Sequence, residues 1–409
     1  MDELPIGRRV AYWRGRRRMS QQVFADRLGK SKSWVDKIER GVRRLDKFSV
    51  LHEIADILQM DVQLLLGKDP ERRNETLHCI EPFEVEEIRA ALERYDAVSA
   101  YFDAVPCPPT LADLGKAVTH AWLTYQYGRY GLLIRALPKL VRDAQAADAA
   151  YGGDQAQRAA DLLAQVYQIA SSVLRKLGEC DLAWLAADRS IAVAQRADDL
   201  LLAGVATTRV CNALASLGRP RPALELNVRI ANQLAPGGQN DASPQRLSVY
   251  GMLLLQGAMA AARIGDSATV EDLLRGAEEA ARELGGDQNH YWTSFGPTNV
   301  ILHRAAAAVE LGDGGQAVEL HLAKLQTPAF DALLPERRAH HLLDLARGYA
   351  QIGDLANAGE MLLRGDRLAP SEIRCRPIAH EVMSNVLRRT RGAPPSLIAE
   401  LAEHMGVGV

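Results

Sequence analysis

Apolar residues recur at helical spacing along the chain, and runs of strict alternation are scarce, so helices are predicted throughout. In "IGRRVAYWRGRRR" one face carries Ile6, Val10 and Trp13. Ser20 is placed to cap "QQVFADRLG", with Val23, Phe24 and Leu28 inward and Gly29 as the stop. Ser31 is placed to cap "KSWVDKIERG", with Val35 and Ile38 inward and Gly41 as the stop. "FSVLHEIADILQM" and "DVQLLLG" add Leu51, Ile54, Ala55, Leu58, Val62 and Leu65, enough to close a small core of four or five helices. A charged stretch from Asp69 to Asn74 reads as a linker. The helix after it carries Val85, Ile88, Leu92, Tyr95, Val98 and Phe102 in one stripe, suited to docking on the next domain or to pairing with its copy in a dimer.

Beyond Leu111 a short motif recurs between helical stretches, centred on Gly128, Gly178, Gly218, Gly265, Gly312 and Gly353, with a decayed copy at Arg391-Gly392. The glycines are 50, 40, 47, 47, 41 and 39 residues apart, which leaves room for two helices and short loops in each interval. Stacked helical hairpins, about six or seven of them, are the expected result. The segment from Gly285 to His303, "GGDQNHYWTSFGPTNVILH", breaks the pattern with a loop bearing three aromatics. Such a loop is either a ligand contact or a plug for a longer repeat.

Composition supports helices: apolar residues make up 47% of the 409 positions but aromatics only 5%. Charge divides the chain. From Ile6 to Lys47 there are 14 Lys or Arg against 4 Asp or Glu, whereas the remainder carries 35 against 47. A basic head on an acidic body points to a polyanion at the head alone. Cys79, Cys107, Cys180, Cys211 and Cys375 form no CxxC pair, and the start has no apolar signal segment. A cytoplasmic protein with reduced thiols, no cofactor and no metal is expected. The pair His340-His341 beside Asp344 is a weak metal candidate, because adjacent residues on a helix point to different sides. No HExxH, GxSxG or GxxxxGK motif occurs, so an enzyme is not expected.

Two helices joined by a tight turn, the second short and basic, form a helix-turn-helix. In "SQQVFADRLGKSKSWVDKIERG" the Ser-Gln pair, Ala25, Leu28-Gly29, Ser31 and the closing IERG fall in register with the lambda-repressor-like, or XRE, family, which this segment resembles. The resemblance covers about the first 67 residues. It implies that Gln21 contacts a phosphate and braces the recognition helix. Lys32, Ser33 and Lys37 would reach base edges, with Arg40 and Arg43 against phosphates. Trp34 departs from the family pattern, and would lie on the DNA backbone or pack on Arg43. Asp36 is unexpected so near DNA.

In the body, "RAHHLLDLARGYAQIGDLANAGEMLLRGDRLAP" resembles a tetratricopeptide repeat at Leu342, Leu345, Ala346, Tyr349, Ala358, Leu362, Gly365 and Pro370. The other copies are looser. Ala183, Ala223 and Ala317 hold the small position of the second helix, but Val270 does not. Together these resemblances imply an all-α chain: a five-helix lambda-repressor-like domain over 1–68, a linker and connector helix over 69–110, and an α-solenoid of degenerate tetratricopeptide-like hairpins over 111–409. That architecture is similar to the RRNPP peptide-pheromone receptors. It implies a homodimer on a palindromic operator, switched by a short peptide; a small metabolite or a protein partner in the same groove is the alternative.

Counting from the turn glycines puts Trp122, Tyr125, Gln165, Gln168, Ser172, Arg175, Thr208, Asn212, Met252, Leu255, Met259, Asn299, Leu302, His340, Leu343 and Arg347 on the solenoid's inner wall. Gln168, Arg175, Thr208, Asn212, Met252, Met259, Asn299, His340 and Arg347, with Trp292 and Phe295 from the aromatic loop, are the candidate ligand-binding residues. Amides offer both a donor and an acceptor, methionines adapt, and arginines hold carboxylates. Ordinary contacts between repeats are the competing reading for each.

Overall fold

The computed structural model describes residues 6–16, 19–43, 50, 54, 57–58, 80–93, 108–237, 242–390 and 392–408. The chain divides into two units, Met1–His78 and Cys79–Val409.

In the first unit, α1 (Ile6–Arg16), α2 (Gln21–Arg27) and α3 (Lys32–Glu39) enclose Val10, Phe24, Ala25, Leu28, Val35, Ile54 and Leu58. Ser20 and Ser31 each accept a hydrogen bond from the backbone N–H three residues on, Val23 and Trp34, at 3.2 Å. Each oxygen thereby satisfies a donor that the helix start leaves free. Gly29 and Gly41 take left-handed backbone angles where the helices stop. Helix α1 crosses α3 at Gly7, where any Cβ would overlap the Ile38 carbonyl oxygen. Val23 does not point inward as the pattern suggested: it is 44% exposed, and Phe24 and Ala25 fill that side of α2. Leu51, Ala55, Val62, Leu65 and the side chain of Trp13 lie outside the described residues, as do Tyr95, Val98 and Phe102 of the connector stripe.

The second unit begins with α4 (Pro82–Glu93), whose Val85, Ile88 and Leu92 are buried in the body's first hydrophobic cluster. The Ala91 carbonyl accepts from Gln145, and Glu84 pairs with Arg135 at 3.2 Å. The described part of the connector is therefore docked on the body. Seven hairpins follow: α5 (Leu111–Gln126) with α6 (Tyr130–Ala150), α7 (Ala156–Leu177) with α8 (Cys180–Ala194), and α9 (Leu200–Ser216) with α10 (Pro220–Leu234). Next come α11 (Pro244–Arg263) with α12 (Ser267–Leu284), and α13 (Pro297–Glu310) with α14 (Gly314–Leu320). After the short α15 (Pro328–Ala332), α16 (Pro335–Gln351) pairs with α17 (Leu355–Leu368). The short α18 (Pro370–Arg374) then leads to α19 (Pro377–Arg389) and α20 (Ser396–His404).

All seven turn glycines, Gly392 included, have φ between 67° and 87°. A side chain there would be strained, which is why the motif recurs as glycine. In three turns the following aspartate starts the next helix: Asp266, Asp313 and Asp354 accept from the N–H groups of Thr269, Gln316 and Asn357. Ala183, Ala223, Ala317 and Ala358 are fully buried between paired helices, and Val270 takes the equivalent place with 5% exposure. The fifth hairpin is irregular, because α14 loosens into a π-helical turn over His321–Leu325.

The hairpins wrap far enough for the first two to meet the sixth and seventh. A Cβ on Gly128 would lie 2.7 Å from Ala369, and one on Gly178 would lie 2.9 Å from Pro377. The body therefore closes on itself around a central space.

Candidate nucleic-acid interface and ligand cavity

In the head, α3 is short and presents its first turn outward, with Lys32, Ser33, Lys37 and Arg40 exposed. Its position rests on Glu39, which is buried at 5% exposure. Arg14 donates to both Glu39 carboxylate oxygens, at 2.6 and 3.0 Å, and Gln21 Nε2 donates to Oε2 at 2.8 Å. A fourth bond, from Arg14 Nη1 to the Met19 carbonyl at 2.6 Å, ties the turn between α1 and α2 to the same group. Gln21 thus spends one of its two amide N–H groups on bracing α3. Trp34 is half-buried with the Arg43 guanidinium carbon 5.9 Å from its ring centroid, the packing arrangement weighed from sequence. Asp36 faces Arg40 at 3.4 Å, so the unexpected acid has a counter-charge on its own helix.

The body encloses a cavity of about 260 Å3. Of the candidate ligand residues, Arg175, Thr208, Asn212, Met252, Met259, Trp292, Asn299, His340 and Arg347 line it. Gln168 and Phe295 do not. Gln168 is buried within α7, and its carbonyl oxygen accepts from Ser172. Phe295 is fully buried against Gly251, where any Cβ would overlap its ring, so it is a plug and not a wall residue. Of the other inner-wall positions, Tyr125 and Leu302 line the cavity, whereas Leu255 and Leu343 belong to hydrophobic clusters.

The 285–296 segment crosses to the first hairpin. Gln126 and Asn289 exchange amide hydrogen bonds at 3.1 and 3.0 Å, and Tyr291 Oη donates to Asp199 at 2.8 Å. Trp292 stacks on Trp122, and both indole N–H groups donate to Gln165 Oε1 at 3.2 Å. Tyr291, Trp292 and Ser294 all have positive φ, so these contacts hold a strained backbone in place.

Charge is concentrated at the closure. Lys176, fully buried, donates to Glu336 at 2.5 Å and to Glu372, and it lies 3.0 Å from His340 Nδ1. Tyr130 also donates to Glu372, Arg376 pairs with it at 2.7 Å, and Arg337 grips Glu336 at 2.6 Å. Burial, opposed by the two carboxylates, lowers the Lys176 amine to about 8. His340 is held well below its usual range, first by burial and then by Lys176. Glu336, His340 and Glu372 have ligand atoms close enough together to hold a metal ion, but Lys176 Nζ sits among them as their cation. On the cavity wall His303 is pushed down to about 4 by burial and by Arg337, and Asp344 is pushed up by burial. His303 donates through Nδ1 to the Asn299 carbonyl at 2.9 Å and so presents neutral Nε2 to Gln256.

Sequence reasoning missed Lys176, Arg209, Arg263, Glu336, Arg337, Glu372 and Arg376. One signal was available. Lys176 shares a helix face with Ile169 and Val173 near the end of α7, a position that in a buried helix demands a partner. The identity of that partner depends on how far the superhelix turns, which local spacing does not encode.

Against known proteins, residues 5–66 match a family described as a helix-turn-helix domain. The chain therefore carries an N-terminal helix-turn-helix domain. A search of curated sequences finds no match. Among solved structures, PlcR of Bacillus thuringiensis, crystallised with the peptide PapR7 and DNA, aligns at 17% identity and a TM-score of 0.32. The alignment covers 68% of this chain and 95% of that one. Among the described residues no helix is long and apolar enough to cross a membrane.

Proposed function

We propose that this chain is a sequence-specific DNA-binding transcription regulator of the XRE type, controlled by a ligand held in a tetratricopeptide-like body. The observation that carries the reading is α3: a capped, basic helix presented end first and braced from behind by Arg14, Gln21 and Glu39. Lys32, Ser33 and Lys37 would read bases, Arg40 and Arg43 would hold phosphates, and Trp34 would lie beside them. The protein would act in the cytoplasm as a homodimer on a palindromic operator, because a single small head buries too little DNA for specificity. Residues 1–68, 69–110 and 111–409 would serve as reader, connector and sensor. The ligand would switch the regulator by preferring one arrangement of the two heads.

The first candidate for the ligand is a short peptide, supported by the wall amides Asn212 and Asn299 and the adaptable Met252 and Met259. The second is a compact small molecule. The crossing segment and the modest volume favour it, since an extended peptide needs an open groove.

Genome-wide occupancy in the native cell, comparing the natural protein with Lys32→Ala/Lys37→Ala, tests the reading. Shared palindromic peaks that vanish in the variant are expected. Absence of sequence-specific peaks would leave a repeat scaffold with a vestigial head.

A further inference from the structure

The charges facing the cavity do not balance. Arg347 is matched by Glu310 at 2.9 Å and Asp344 at 3.4 Å, Arg337 by Glu336, and Arg376 by Glu372. Arg175, Arg209 and Arg263 line the same space from three successive first helices, and none has a carboxylate partner among the described residues. Arg209 lies over the Trp122 ring at 5.6 Å, and its buried Nε has no hydrogen-bond acceptor. Burial, and after it the neighbouring guanidiniums, holds both Arg175 and Arg209 below the usual arginine range.

On the same wall is a second group without a partner. Asn299 is 1% exposed, yet neither its Oδ1 nor its Nδ2 has a hydrogen-bond partner. Leaving both ends of a buried amide unmet is destabilising, because each has given up its water for nothing. Arg175 and Arg209 are half-buried and Arg263 lies exposed at the cavity's edge, so the first two guanidiniums add to that cost. An occupant with an anionic group and an adjoining neutral polar group would satisfy all of them.

We propose that the cavity is a site for a small oxyanion-bearing ligand, with Arg175, Arg209 and Arg263 holding a carboxylate or phosphate and Asn299 taking a neighbouring amide or hydroxyl. This rests on the sensor reading of the body and specifies what it senses. The same carboxylate chemistry has two sources, the C-terminus of a short peptide or a free organic acid.

Thermal unfolding and calorimetric titration of the full chain test it, with citrate, inorganic phosphate, and trialanine with a free or an amidated C-terminus as probes. Sodium chloride at matched ionic strength is the control. The basic head also attracts anions, so the comparison is with Arg175→Gln/Arg209→Gln/Arg263→Gln, which leaves the head unchanged. At least one probe should raise the melting temperature above the chloride control, with affinity falling about tenfold or more in the variant. In chloride the variant should be no less stable than the natural chain, because mutual repulsion is removed. Should the triple variant not fold, Arg209→Gln replaces it, with Arg209→Lys expected to restore part of the binding. No stabilisation beyond chloride by any probe, or stabilisation that persists in the variant, would overturn the proposal. Binding of free but not amidated trialanine assigns a peptide terminus, and binding of citrate or phosphate alone assigns a small acid. No DNA is present, so failure here leaves the operator-occupancy result untouched, and the reverse also holds.

Discussion

Trp292 lies flat on Trp122, ring centroids 5.7 Å apart and planes inclined by 15°, and one carbonyl oxygen of Gln165 receives both indole N–H groups. This stack fastens the strained segment between the fourth and fifth hairpins to the first. Trp292→Ala removes the ring and one hydrogen bond while leaving the positive-φ backbone with less to hold it. Amide exchange over residues 285–296 should then accelerate by about tenfold or more, with α16 and α17 little changed. Unchanged exchange in that segment would mean that the Gln126–Asn289 amide pair and the Tyr291–Asp199 bond suffice to fasten it.

Glu39 is the group on which the head's reading helix rests. Glu39→Ala leaves Arg14 and the Gln21 amide without their acceptor, and a loss of about 3 kcal/mol in the head's stability is expected. DNA affinity should fall although no proposed DNA contact has been altered. Thermal unfolding of the variant, followed with and without operator DNA, separates this from a direct contact: a stable head with weakened binding would put Glu39 at the DNA surface.

Lys176 bridges two carboxylates that are otherwise far apart in the chain. Lys176→Met removes this shared buried cation, leaves Glu336 to Arg337 and Glu372 to Arg376, and should cost about 3 kcal/mol at pH 7. Adding Glu372→Gln to that variant should cost less than the two single losses summed, because the Lys176–Glu372 bond is lost only once. Urea unfolding of the two singles and the double gives the coupling directly. Strict additivity would show that the three side chains do not act as a unit.

Buried histidines give the body an acid sensitivity. His303 titrates at about 4 and His341 at about 3, and His340 also lies well below its usual range, burial being the first cause in each. The unfolded chain takes up these protons near pH 6.5 while the folded one does not, so stability is full above that value and falls as the pH drops toward 4. Each group contributes a slope approaching about 1.4 kcal/mol per pH unit in that window. Urea midpoints at pH 7.5, 6 and 5 should decline in that order, and His303→Gln, which keeps a polar neutral side chain, should flatten the decline. A midpoint independent of pH would show that these imidazoles are solvated.

Local punctuation was the most legible part of the molecule. The Ser20 and Ser31 caps and the seven left-handed glycines are fixed by backbone geometry that few residues satisfy, so they can be read one residue at a time. The cavity wall was legible in part, since counting back from each turn finds the face of each first helix; Arg175, Asn212, Asn299 and Arg347 were placed that way. What escaped were contacts set by superhelical pitch: the Lys176 cluster, and Arg209 and Arg263 converging with Arg175. Phe295 escaped for a related reason. An aromatic in a loop reads as a ligand contact until Gly251, on another helix, is seen to leave it a socket.

The meeting of Gly128 with Ala369 and of Gly178 with Pro377 has a consequence for how such a chain can change. An open array of repeats gains or loses a unit without disturbing the others, since each touches only its neighbours. Here the number of hairpins is fixed by a seam. Removing one would part the seam, strand Lys176 and open the cavity in a single step. The seam thus sets the repeat count of this body, as an open array would not.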